Sequence, residues 1–169
     1  MEAAPGVLAG INTQLSNTLA AEAIAASRVP GLAGFTRIRR EVRYGAENSR
    51  IDLLLEAEGA TPCYVEVKNV TLVGTGVDAG VARFPDAVST RASKHLRELE
   101  GVVAAGQRGA IFFCVQRGDV REVRPAEHID PVYGEALRRA LSAGVEAYAL
   151  AGEVTPQGIV LDRPLPVRV

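Results

Sequence analysis

The stretch Cys63-Tyr64-Val65-Glu66-Val67-Lys68-Asn69-Val70 reads as a buried strand with two charges set into it. Side chains alternate along a strand, so Glu66 and Lys68 share one face. The other face carries Cys63, Val65 and Val67, which suit a core. Upstream, Ile51-Asp52-Leu53-Leu54-Leu55 is a second apolar run with one carboxylate inside it. Two carboxylates and an ammonium on neighbouring apolar strands require a reason. One is a divalent metal held against a phosphate. The other is a set of cross-strand ion pairs on a solvated face.

Working outward, the spacing predicts an alternation of helices and strands. Residues 1–10 are small, apolar and punctuated by Gly and Pro, as in a loose end. Asn12 or Thr13 can cap a helix to about Ser27, with Leu15, Leu19, Ala23 and Ala26 as its stripe. Phe35 to Tyr44 alternates like a strand, Ile38 and Val42 facing one way and Arg37, Arg39, Glu41 and Arg43 the other. Hairpin-length turns join it to Arg50–Glu58 and Cys63–Leu72, which predicts an antiparallel meander. Gly74 to Gly80 reads as a flexible loop. Phe84-Pro85-Asp86 leads into a helix over about 89–105, with Asp86 as its cap. Ala110-Ile111-Phe112-Phe113-Cys114-Val115 is a continuous apolar run, typical of a strand buried on both faces. A helix over 131–143 and strands over 145–150 and 158–161 complete the chain. This order implies an α/β fold with one mixed central sheet, a meander plus a crossover strand, flanked by helices.

The bulk composition excludes some classes of function. With 169 residues the chain can bury one real core. The net charge is −1, so any contact with nucleic acid must come from a local patch. Trp is absent and aromatic residues make up 5%, so stacking platforms for unpaired bases are scarce. Cys63 and Cys114 lie in apolar runs without zinc-site spacing and read as buried thiols. No basic leader region and no bilayer-length apolar stretch is evident, so the cytoplasm is the expected compartment and no membrane partner is expected.

Metal-assisted phosphodiester cleavage needs hard oxygen ligands with room left for water and substrate. Asp52 and Glu66 meet that need, and Lys68 can neutralise charge developing on phosphate. Thirteen residues separate the two carboxylates, enough to finish a strand, turn and return alongside it, provided the hairpin register cooperates. Arg39, Arg43 and Arg50 could track a phosphate backbone. Arg91, His95 and Glu98 share a face of the second predicted helix, with Lys94 beside them. Gln116 and Arg117 end the buried strand, where sites in such sheets often sit, and join Arg91, Lys94 and His95 as candidate nucleic-acid contacts.

The pattern Asp52…Glu66-Val67-Lys68, within helix–strand–strand–strand–helix–strand, resembles the PD-(D/E)XK, restriction-endonuclease-like superfamily. The match is closer still to the sugar fermentation stimulation proteins (SfsA). The residues that carry it are Glu41-Val42-Arg43-Tyr44-Gly45, Ser49-Arg50-Ile51-Asp52, Cys63 to Leu72, Phe84-Pro85-Asp86-Ala87-Val88, Lys94-His95-Leu96-Arg97-Glu98-Leu99 and Leu165-Pro166-Val167. The resemblance implies a nuclease-like domain over residues 11–169 and DNA binding without sequence specificity, linked to the regulation of sugar use. By analogy, Asp52 and Glu66, helped by the Val67 carbonyl, would hold Mg²⁺ or Mn²⁺. Lys68 would be the catalytic lysine, and Glu22 matches the position of an extra acidic ligand. Family members carry an OB-like N-terminal half, for which residues 1–10 are here only a remnant. Where relatives have Gly and Gln, this chain has Ala92 and Ser93. Three functions are therefore expected to compete: a metal-dependent nuclease, a non-catalytic DNA-binding regulator and a truncated remnant. The oligomeric state, including a homodimer, is left open.

Overall fold

The computed structural model describes residues 9–10, 12–45 and 49–169. Among these residues three α-helices, α1 (Ser16–Ala25), α2 (Thr90–Ala104) and α3 (Pro131–Ser142), flank nine strands. The strands are β1 (Arg37–Tyr44), β2 (Ser49–Glu56), β3 (Cys63–Val70), β4 (Leu72–Val73), β5 (Val81–Phe84), β6 (Arg108–Val115), β7 (Glu122–Pro125), β8 (Glu146–Thr155) and β9 (Gly158–Pro164). The main sheet has the order β1-β2-β3-β6-β8-β9. Its first three strands form the expected antiparallel meander. β6 pairs in parallel with both β3 and β8, and β9 closes the edge antiparallel. The α2 and α3 segments supply the crossovers that parallel pairing requires.

β6 shows how the sheet divides the core. Ile111, Phe113 and Val115 enter a cluster with Leu96 and Leu99 of α2 and Leu137 of α3. Ala110, Phe112 and Cys114 enter a second cluster with Leu19 and Ile24 of α1. The strand is buried on both faces, as its unbroken apolar run predicts. Cys63 and Cys114 are free thiols, and burial pushes both up to about 12, which leaves them unreactive.

Four local expectations change. The segment 74–80 contains a 3₁₀ turn at Gly76–Asp78 and is bounded by β4 and β5, which join β7 in a second, three-stranded sheet. Such short strands carry too few residues to show a period. The cap of α2 is Ser89, whose side chain accepts from the Ala92 amide at 3.1 Å, and Asp86 is exposed. α1 stops at Ala25, where Ser27 turns left-handed (φ 56°) and the Arg28 amide reaches back to the Ala23 carbonyl at 2.9 Å. Ile38 and Val42 pack on opposite faces of the sheet, in the α1-side and α2-side clusters respectively. The reason is Glu41, held at φ 54° between them, which breaks the alternation. Of the loose end expected at 1–10, residues 1–8 lie outside the described residues, whereas Ala9 bridges to Arg117 and the Gly10 amide donates to the Gln116 carbonyl at 2.9 Å.

Candidate active site

The site forms where the β2–β3 ladder stops. Pairing runs from Leu55↔Cys63 to Leu53↔Val65, and one step further Asp52 would stand opposite Glu66. The backbones do not pair there. The Asp52 carboxylate takes the place of the missing strand partner, its Oδ2 accepting from the Val67 amide at 2.8 Å. β2 also changes faces at this point. Ile51 packs toward α2, whereas Leu53 and Leu55 pack toward α1. Asp52 lies opposite the left-handed Glu41 in the β1–β2 register, so both strands turn at one place. The ladder ends before the two carboxylates pair, yet they lie close enough for the Glu66 charge to act on Asp52.

Each carboxylate is then fixed by a different layer. Asp52 Oδ1 accepts from Asn17 Nδ2 of α1 at 2.8 Å. Glu66 points toward α2 and is only 3% exposed. Its Oε1 accepts from Lys68 Nζ at 2.7 Å and from His95 Nδ1. Arg91 Nε approaches the other ring nitrogen of His95 at 3.5 Å, which places the ring proton on Nδ1, facing Glu66. Glu66 Oε2 is buried and has no partner. Burial raises the Asp52 carboxyl above the usual carboxylate range, and the Glu66 charge adds to it. The Val67, Asn17 and Lys68 interactions offset only part of this rise. Burial also pushes Glu66 upward, but the His95 hydrogen bond and the Lys68 charge carry it below its ordinary value. Two close carboxylates, one ionised and one resisting ionisation, form an electrostatic arrangement that a cation relieves.

The donor set suits a hard divalent cation. Glu66 Oε2 is an orphaned oxygen, and each Asp52 oxygen keeps a spare lone pair. Among the described residues no three His, Cys, Asp or Glu side chains converge into a closed cage. An open site of two carboxylates, completed by backbone oxygen and water, is what phosphate chemistry needs.

The remaining candidates divide by exposure. His95 lies in the hydrogen-bonding shell of Glu66 and Arg91 reaches His95 behind it, while Lys94 is half-buried on α2. Arg43 and Arg50 are exposed and directly opposed across β1–β2. Arg39 lies farther along β1 with Glu56, at 3.8 Å. Glu22 is exposed on α1, and the α1 residue that reaches Asp52 is Asn17 instead. Gln116 and Arg117 turn inward. Gln116 Nε2 binds Asn69 Oδ1 at 2.7 Å, and Arg117 forks onto Asp119 at 2.7 and 2.8 Å and donates to the Thr71 carbonyl at 3.1 Å. Asn17 was missed because a helical asparagine usually serves only as a surface group. Its signal was the pair Ser16-Asn17, polar where the helix must face the sheet.

Comparison with known proteins places this geometry in a family. Residues 14–158 match the sugar fermentation stimulation protein RE domain. A sugar fermentation stimulation protein homolog of Thioalkalivibrio sulfidiphilus is 57% identical over 164 residues, covering 97% of this chain and 68% of the relative. The Geobacter sulfurreducens homolog is 58% identical with the same coverage. A solved structure, that of Pyrococcus furiosus SfsA in complex with Ca²⁺, superposes with a TM-score of 0.87 at 32% identity. It covers 97% of this chain and 68% of its own. The ladder break, the Asp52–Glu66–Lys68 cluster and these matches all lie within one stretch of sequence, and the chain belongs to the sugar fermentation stimulation protein family.

Proposed function

We propose that the chain is a DNA-binding, metal-dependent phosphodiesterase whose active residues are Asp52, Glu66 and Lys68. The observation that carries the reading is Glu66 Oε2, a buried carboxylate oxygen left without a partner beside a second carboxylate. A pure binding surface gains nothing from carboxylates facing phosphates. The Ca²⁺ named for the Pyrococcus furiosus relative supports a divalent site. Asp52 and Glu66 hold the cation, which supplies Lewis-acid polarisation of the phosphodiester when bound. Asn17 and the Val67 amide orient Asp52. Lys68 and His95 hold Glu66 Oε1 so that Oε2 stays free. Lys68 Nζ also lies where it can neutralise charge growing on a phosphate oxygen. Arg43, Arg50 and Arg91 contact the backbone of the DNA without reading its bases.

Incubation of single- and double-stranded DNA with Mg²⁺ or Mn²⁺ tests the reading. Cleavage is expected, with loss of at least roughly a hundredfold in Glu66→Ala. Calorimetry should show Mn²⁺ binding that the same variant lacks. DNA left intact under all these conditions would refute hydrolysis. The second reading, a non-catalytic DNA-binding regulator, draws on the opposed Arg43 and Arg50. It predicts DNA binding that survives Asp52→Ala.

A further inference from the structure

We infer that the cleft beside the carboxylates is a slot for one unpaired nucleobase with its phosphate. This rests on the reading that the chain handles nucleic acid and adds which form of it enters the site. The cleft, about 460 Å³, is framed by Arg43 and Tyr44 of β1, Tyr64 of β3, and Arg97, Glu98 and Gly101 of α2. That volume is within the range of small-ligand sites.

Three independent features specify the occupant. The first is aromatic. The chain has four Tyr, four Phe and no Trp, yet two tyrosines meet here with ring centroids 5.7 Å apart. Tyr64 precedes Glu66 by two residues on the same strand face, so the slot opens about 7 Å from the carboxylate. That is about one nucleotide along an unpaired strand.

The second feature is electrostatic. Arg43 and Arg97 are exposed at the rim, and neither has an acidic partner among the described residues. Glu98 lies below them, only 7% exposed, its carboxyl facing the Tyr44 hydroxyl. It packs beneath Gly45, where a β-carbon would come within 2.8 Å of Oε1. The floor offers aromatic rings and a buried carboxyl but no cation, whereas the rim arginines attract phosphate, so an anion is drawn to the rim and an uncharged group to the depth. A group that is flat and uncharged at one end and anionic at the other meets both demands, and a nucleotide is such a group.

The third feature is Gly101. Glycine is the least favourable helix residue after proline. Nothing in the packing requires it, since a β-carbon there meets no atom within 4 Å. Its lack of a side chain leaves the wall opposite Tyr64 open, and a base can lie flat between them. Duplex DNA cannot place a base there without unstacking it, so a single strand is the preferred form.

The test measures binding without cleavage, by fluorescence anisotropy in EDTA. The probes are a short fluorescein-labelled single strand of mixed sequence and the same sequence as a duplex. The wild type is expected to bind the single strand more tightly. Gly101→Leu fills the slot with a good helix former. It should raise the melting temperature and weaken single-strand binding by roughly ten- to hundredfold. Tyr64→Leu should lose binding to a similar degree, and Tyr64→Phe, which keeps the ring, should retain it. Unchanged single-strand binding in Gly101→Leu overturns the slot, as does a wild type without single-strand preference. Loss of metal-dependent cleavage with slot binding intact would instead remove the nuclease reading alone.

Discussion

Asp52 is where residue chemistry and backbone architecture meet. Its carboxylate replaces a strand partner for Val67, so it must be acceptor, metal ligand candidate and ladder element at once. Its raised pKa gives a signed expectation. An acid whose folded pKa exceeds the unfolded one costs no stability below the unfolded value. The cost appears as pH rises through the folded value. Metal-free Asp52→Asn should therefore melt above the wild type at neutral pH, and the gap should close in acid. Added Mn²⁺ should stabilise the wild type and not the variant. Thermal melts at several pH values, with and without the ion, test this. At this scale the sequence was informative about Asp52, Glu66 and Lys68, because charges in apolar runs stand out. It could not reveal His95 as a direct partner of Glu66 or Asn17 as a partner of Asp52. Those contacts depend on where α2 and α1 dock, which local periodicity does not encode.

At the scale of elements, long periodic segments were the legible ones. The β1–β3 meander, α2, β6 and α3 follow from hairpin-length turns, amphipathic spacing and an unbroken apolar run. The second sheet was not legible, since β4 has two residues and β5 and β7 have four each. Such strands are selected by tertiary pairing. The helix starts show a related limit. Asp130 is 2% exposed and serves two helices together. Its Oδ1 caps α3 through the Tyr133 amide at 2.9 Å. Its Oδ2 accepts from the amide of Ser89, the cap residue of α2, also at 2.9 Å. Replacing Asp130 with Ala leaves a buried and a half-buried amide unpaired and should cost about 3 kcal/mol in urea unfolding. Asp130→Asn, which keeps one acceptor, should cost about 1 kcal/mol.

At the scale of the whole molecule, a net charge of −1 hides a local asymmetry. Arg43 and Arg50 face each other across β1 and β2 at the end nearest the site. Like charges directly opposed weaken a sheet, so this pair is retained at the expense of stability. Arg50→Ala should leave the melting temperature equal or higher. It should weaken DNA binding uniformly across sequences and lower the salt dependence of log affinity by about one unit. An affinity unaffected by salt would remove the arginines from the interface. No helix among the described residues is long and apolar enough to cross a membrane.

The Val67 amide carries one more consequence. It sits in the middle of the central sheet, yet its hydrogen-bond acceptor is a side chain that protonation or a cation would change. The interior of the fold is thus wired to the charge state of its own surface chemistry. A single backbone nitrogen resonance would report, from inside the core, whether the site is loaded.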